Sequence, residues 1–581
     1  MKKILLLLLL MPSTFQYVSA QLTPFEKSKD RNTTATYPEV ISFYKALDEK
    51  YPQLKMLTCG PTDIGKPLHL VVLSKEKVFD PEAIRRQNKR ILLINNGIHP
   101  GEPEGIDATM MLARNLLEQD KLPKDVVICI IPVYNIDGSL NRGVSRINQN
   151  GPETYGFRGN YQNLDLNRDF IKGDSQNSQS FQEIFNTWKP EIFIDNHTSN
   201  GADYQYIITL IPTQKDKLQP VLAEYLSGSL VPELYAKMAK AGFPLTPYVN
   251  SIGETPDTGI EGFLETARYS TGYAALHNTI GFMPETHMLK PYKQRVESTY
   301  QFMHEMLTIM QRDAQLIGKN RKRADEIIKN QVVFPLSWKL DRKDSTEFNF
   351  SGYEAKYKPS EVSSFDRLYY DRNSPFEKSI KVWNKFVPAT EVSKPLAYII
   401  PQAWQKVISL LKMNGVQMKQ LSTDVSLDVD MYYVNDYKTS PRPYEGHYIH
   451  SSVKLNVEKQ RVNFYAGDYV LYVNQPQNRY IVETLEPQGV DSFFAWNFFD
   501  PILGQKEHFS AYVFEDEAAR LMKDDPKLKK QFEDEKLSNP ELGKSGSAAL
   551  NWVYRHSVYY EKTFMRYPVG RIMSDIKLDL K

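Results

Sequence analysis

ILLINNGIHPGEPEGIDATMMLARNLL, residues 91–117, passes from an apolar run through a polar loop into a helical pattern. Ile91 to Ile94 reads as a buried strand, and Asn95 to Pro103, dense in Gly, Pro and Asn, reads as a turn-rich loop. Ile106 to Leu117 then repeats apolar residues at the spacing of an amphipathic helix. The loop therefore sits at the carboxyl end of a strand, where open α/β sheets place their ligands. It carries His99 and Glu102.

Working outward, KPEIFIDNHTSNG (189–201) holds a second apolar strand, Ile192 to Ile194, closed by His197. A third short apolar stretch, Ile280 to Met283, precedes Glu285 in GFMPETH. A histidine three residues before a glutamate is common in solvated loops, and a lone strand-end histidine is more often a hydrogen-bonded core residue. This chain has only 10 His, however, and two of them follow apolar strands in the order that one metal site needs. Catalytic zinc takes three protein ligands from His and carboxylate and keeps a fourth position for water. His99, Glu102 and His197 form such a set, with one zinc per chain.

Taken together these segments resemble the zinc metallocarboxypeptidase family, which includes the pancreatic carboxypeptidases. The likeness runs from about Tyr37 to Met310. It begins with CGPTDIGKPLHLVVL (59–73) and continues through HPGEPEG (99–105), YNIDG (134–138), NLDLNRDF (163–170), DNH (195–197) and GFMPETH (281–287). It implies an α/β fold with a mixed, mostly parallel sheet flanked by helices. The activity it implies is hydrolysis of the C-terminal peptide bond by zinc-activated water.

The resemblance also assigns roles residue by residue. Asp165 matches the carboxylate that orients the first zinc histidine. Asn167 and Arg168 match the pair that grips the substrate's free C-terminal carboxylate, a task suited to a planar guanidinium with parallel N–H donors. Glu285 matches the general base. The oxyanion partner should be an arginine of NRGVSRINQNGPETYGFRGN (141–160), which offers Arg142, Arg146 and Arg158; Arg146, 11 residues after Asn135, is taken here. Of Tyr269 and Tyr273 in ETARYSTGYAALHN (265–278), Tyr269 is taken as the tyrosine over the substrate, although neither keeps the pancreatic spacing. The spacing of 95 positions from Glu102 to His197 is also shorter than in the pancreatic pattern, which leaves the preferred terminal side chain open.

Composition bounds the rest. At 581 residues, with 41% hydrophobic and 24% charged, the chain is long enough for more than one globular domain and is not disordered. Its 72 basic and 70 acidic residues nearly cancel, with no sustained basic tract, so no nucleic-acid partner is expected. MKKILLLLLLMPSTFQYVSAQL reads as a secretory leader over 1–20, cleaved after Ala20: two lysines, an apolar core from Ile4 to Met11, then small residues. That core is shorter than the roughly 20 residues a bilayer requires. The mature chain is therefore expected to be exported, to the periplasm or beyond, without stable membrane insertion. Cys59 and Cys129 are too few for a disulfide scaffold; Cys129, inside the apolar run Val126 to Val133, reads as a core thiol, and a bridge between the two stays open.

The expected organisation is a catalytic domain over 21–325 and a C-terminal α+β domain over 330–581, joined by the charged, helix-like KNRKRADEIIKNQ (319–331). In the second domain PLAYIIP reads as a strand, followed by a helix with Trp404, Val407, Ile408 and Leu411 on one face, a stop at Asn414-Gly415 and a strand from Val416 to Leu421. VKLNVEKQRVNFYAGDYVLYVN reads as strands about a Gly467-Asp468 turn, GVDSFFAWNFFD as a buried aromatic helix or turn, and Glu515 to Leu537 as charged helix. Nothing in this half connects to chemistry. Two alternatives remain beside the peptidase: an amidohydrolase acting on cell-wall stem peptides or other N-acyl amino acids, and an exported binding protein with a degenerate site.

Overall fold

A computed structural model describes residues 21–581; the expected leader lies outside them. A nine-stranded sheet organises the first half of the chain. At its centre Val126–Ile131, Arg90–Asn95, Ile192–Asp195 and Ile280–His287 run parallel, side by side in that order. Leu54–Pro61 and Pro67–Leu73 extend one edge as an antiparallel pair, and Ile208–Pro212 pairs antiparallel with Ile280–His287 on the other side. The four residues Ile192–Asp195 and all six of Arg90–Asn95 and Val126–Ile131 are buried, as strands covered on both faces must be.

Alternation along these strands divides the core in two. Leu92, Ile94, Ile128, Ile194 and Phe282 face the helices Tyr37–Lys50 and Glu104–Glu118 and the long helix Tyr292–Asn330. Leu93, Val127, Cys129 and Phe193 face Gln176–Trp188 and Ser270–Leu276. Cys129 is buried, and neither it nor Cys59 is bridged.

The helix Tyr292–Asn330 is one element of 39 residues. The charged stretch read as a connector is its final turns, where Ala324 and Ile328 still bury an apolar stripe.

Beyond it a six-stranded sheet contains Ala397–Ile400, Tyr469–Tyr472, Val425–Thr439 and His450–Phe464. The expected strand–helix–strand unit is present with a difference. Ala397–Ile400 and Lys419–Gln420 both pair antiparallel with Tyr469–Tyr472, which stands between them. The strand expected over Val416 to Leu421 shrinks to Lys419–Gln420, because Asn414-Gly415 ends the helix Gln405–Met413 in a turn in which Val416 N–H still bonds Leu411. GVDSFFAWNFFD is a compact turn burying Phe493, Phe494, Trp496 and Phe499. Val407, Leu410, Tyr480 and Trp496 belong to the same buried cluster as Phe181, Phe185 and Tyr273, so the outer face of Gln176–Trp188 is covered by the C-terminal half. No helix among the described residues is long and apolar enough to cross a membrane.

Candidate active site

His99 and Glu102 lie on the loop between the strand Arg90–Asn95 and the helix Glu104–Glu118. Gly97 makes the sharp exit from the strand, with φ of +63° and Ile106 3.0 Å from where a Cβ would stand. His197 follows Ile192–Asp195, and the parallel register sets Glu285 opposite His197. Registered residues of parallel neighbours project to the same side, so imidazole and carboxylate meet at the carboxyl end of the sheet.

One ligand atom from each of His99, Glu102 and His197 lies within 4.8 Å of the other two, and all three residues are buried. His99 Nε2 is 2.8 Å from Asp165 Oδ1, and His197 Nε2 is 2.9 Å from Asp195 Oδ2. A carboxylate only accepts, so each Nε2 carries a proton and each Nδ1 is the ring nitrogen turned toward the centre of the triad. His99 Nδ1 is buried without a hydrogen-bond partner, and His197 Nδ1 lies 3.0 Å from Glu102 Oε2. Two inward-facing Nδ1 atoms, one carboxylate and a carboxylate behind each imidazole fit the donor set of a zinc centre, where a metal ion would take the place of any proton shared between His197 and Glu102.

The charges around the triad are closely balanced. Burial opposes ionisation of Glu102, but Arg146 and His99 outweigh it and hold the carboxyl well below its usual range. Arg146 Nη1 reaches Glu102 Oε1 at 2.5 Å, and Thr198 N–H donates to Oε2 at 2.9 Å. Burial likewise opposes Asp165, yet His99, Arg158 and Arg168 keep it strongly acidic. Glu285 goes the other way: burial pushes it up to about 8, Glu102 adds to the rise, and His197 and the arginines restrain it.

These residues line one cavity of about 340 Å³ together with Asn167, Arg158, Arg168, Tyr269, Ile211, Tyr248, Phe263 and Met283. Asn167 and Arg168 come from a short turn in which Asp165 accepts from Asn167 N–H at 2.9 Å. The Tyr269 ring covers the Arg168 guanidinium at 4.5 Å. Every residue given a role from the sequence except Asp165 lines the cavity, and Asp165 stands directly behind His99. Arg142 turns away to Thr154, and Tyr273 is buried against Asn414. Arg158, passed over in favour of Arg146, also faces the site: it clasps Asp165 through Nε and Nη2 at 3.0 and 2.8 Å, and its Nη1 is 3.5 Å from Glu102. Tyr248, Phe263 and Ile211 had no motif to mark them; Met283 lay inside GFMPETH without a role, and, two residues before Glu285 on one strand, it shares its side of the sheet.

Residues 40–209, which include the triad and the Asp165–Arg168 turn, match the zinc carboxypeptidase family. The chain carries a zinc carboxypeptidase domain. It is a metallopeptidase. Its similarity to curated relatives extends past the family match. Carboxypeptidase 2 of Trichophyton equinum is 23% identical over 460 residues, 74% of this chain and 76% of the relative. That of Trichophyton rubrum is 22% identical over 431 residues, covering 69% and 72%. Among solved structures, carboxypeptidase A from Helicoverpa armigera is 14% identical, with a TM-score of 0.36 over 53% of this chain and 76% of that one. A metallo-carboxypeptidase from Burkholderia cenocepacia is also 14% identical, with a TM-score of 0.34 over 49% and 70%.

Proposed function

We propose that this zinc carboxypeptidase domain removes the C-terminal residue from peptides with a free carboxylate. The observation that carries the reading is the placement of the metal triad, Glu285 and Arg168 around one cavity. His99, Glu102 and His197 would hold zinc, which when bound would supply a Lewis acid and lower the pKa of water to about 7. Glu285 takes a proton from the attacking water and returns it to the leaving amine. A carboxylate raised by burial suits both halves of that transfer, since it gains a proton readily and can give it back.

Arg146, with N–H groups beside Glu102, stabilises the developing oxyanion. Arg168 holds the terminal carboxylate, Asn167 contributes its unpaired buried Oδ1 and its amide to the same wall, and Tyr269 closes over the guanidinium. Asp165 and Asp195 fix the tautomers of the two histidines. The leader read at 1–20 supports export to the periplasm or the medium.

The test is a digest of a mixed peptide library by purified protein, with and without a chelator, read by mass spectrometry. Loss of single residues from C-termini, abolished by the chelator and restored by zinc, is the expected result. Internal cuts, or cleavage indifferent to the chelator, would overturn the reading.

A further inference from the structure

The cavity has a contributor that no motif marked. The strands Val425–Thr439 and His450–Phe464 of the C-terminal half are joined by a loop whose tip reaches the catalytic half at Tyr444 to His447. Tyr444 and His447 bond each other in both directions, N–H to carbonyl at 2.8 and 3.1 Å, around Glu445 and Gly446. Both central residues have positive φ, +50° and +80°, as a tight two-residue turn of that kind requires. The tip is therefore stiff. It is also anchored, since His447 Nε2 lies 2.7 Å from Asp174 Oδ2, a carboxylate that also binds Lys172 and Lys406.

From that anchor the tip touches both residues behind the substrate wall. Arg168 Nε donates to the Tyr444 hydroxyl at 2.9 Å, and Asp165 N–H donates to Glu445 Oε2 at 2.7 Å. The Tyr444 ring is itself held, stacked near Trp496 with centroids 6.4 Å apart and capped by Arg268 at 5.6 Å. Arg268 is pinned by Asp491 through its backbone N–H at 2.9 Å and its Nε at 2.8 Å, which fixes the residue next to Tyr269 as well. Arg168 and Tyr269 are thus both braced by residues beyond 330.

The bracing restricts what Arg168 can do. A guanidinium can meet a carboxylate side-on through Nε and Nη2, or end-on through Nη1 and Nη2. Here Nε is taken by Tyr444, one Nη1 hydrogen by the Asn167 carbonyl at 2.8 Å, and one face by the Tyr269 ring. Nη2, 3.8 Å from Asp165 Oδ2, makes no hydrogen bond among the described residues and is left for the substrate. We propose that the tip Tyr444–His447 aims Arg168 at the substrate carboxylate, so that the C-terminal half is an obligate part of the substrate clamp. Tyr444 does not line the cavity; it is a positioning residue that acts through Arg168. This inference rests on the carboxypeptidase reading for the identity of the bound group.

The test compares Tyr444→Phe, which keeps the ring and its stacking, with wild type in the full-length zinc-loaded protein. Two readouts are taken: kcat and KM on a peptide with a free C-terminus, and calorimetric affinity for an N-acetyl amino acid, which needs no turnover. The expected result is a KM and a probe Kd each raised roughly tenfold, the scale of a lost hydrogen bond to a charged group, with kcat, zinc content and Tm close to wild type. A paired set, Glu445→Ala and Glu445→Gln, follows the second contact; Gln keeps an acceptor for Asp165 N–H and should restore what Ala loses. Wild-type cleavage with KM and probe affinity unmoved by Tyr444→Phe would overturn the inference and leave the proposed function standing. A wild type that binds the probe in a Tyr444-dependent way yet cleaves no peptide would sink the hydrolase reading and keep the clamp.

Discussion

At one end of the cavity His99, Glu102 and His197 come from neighbouring strand ends, with His197 95 positions after Glu102. At the other end Arg168 meets Tyr444 across 276 residues, by a contact between two sheets. The metal end is set by backbone register, and its histidines are held by Asp195 on the strand that leads to His197 and by Asp165 on the turn before Arg168. The clamp end is set by how two halves of the chain pack. Chemistry that needs fixed donor geometry is thus placed where the sheet dictates position. The proposed recognition of the substrate end falls where packing can tune it.

That contrast can be broken most forcefully at the metal. His197→Ala removes one of only three donors, so metal analysis should find the zinc gone and turnover abolished. Full zinc retention with normal activity would take His197 out of the site. Next in size, Glu285→Gln should keep zinc and lower kcat by at least roughly a hundredfold, the scale of a lost general base. Turnover at the wild-type rate would contradict the mechanism. Arg146→Ala should lower kcat on the order of a hundredfold with zinc content unchanged, as for the loss of an oxyanion donor. Arg158→Ala, whose side chain is committed to Asp165, should cost less; the opposite ranking would transfer the oxyanion role to Arg158. Smaller again, Asp165→Asn should weaken zinc binding by about ten- to a hundredfold in competition with a chelator, because the carboxylate that orients His99 is lost. Unchanged affinity would show that the metal end does not depend on that support.

The same contrast explains what could be read from the sequence. His99, Glu102, His197 and Glu285 each follow a short apolar run, and strand ends are where a hydrophobic period stops and a polar loop begins. The α/β sheet and the buried run Val126 to Val133 were legible for that reason, whereas Asp165, Asn167 and Arg168 were marked only by the family resemblance. Choosing between Arg146 and Arg158 was harder, because both sit on an irregular loop where spacing says little about direction. Tyr248 and Phe263 carry no periodic signal at all. Tyr444 was beyond reach: its role exists only because the strands Val425–Thr439 and His450–Phe464 project their connecting turn onto another sheet. A charged run also misled. The residues before 331 looked like a linker because their exposed face is charged, while Ala324 and Ile328 on the opposite face keep the helix on the core.

On the proposed reading, Arg168 binds a free terminal carboxylate beside a zinc centre. The most direct measurement takes one peptide with a free and with an amidated C-terminus, digested by zinc-loaded wild type and by Arg168→Ala. Wild type should prefer the free acid by roughly tenfold to a hundredfold, about 1.5 to 3 kcal/mol for a charge-assisted contact, and Arg168→Ala should lose most of that preference. Equal cleavage of both peptides by the wild type would contradict it and return Arg168 to a structural role.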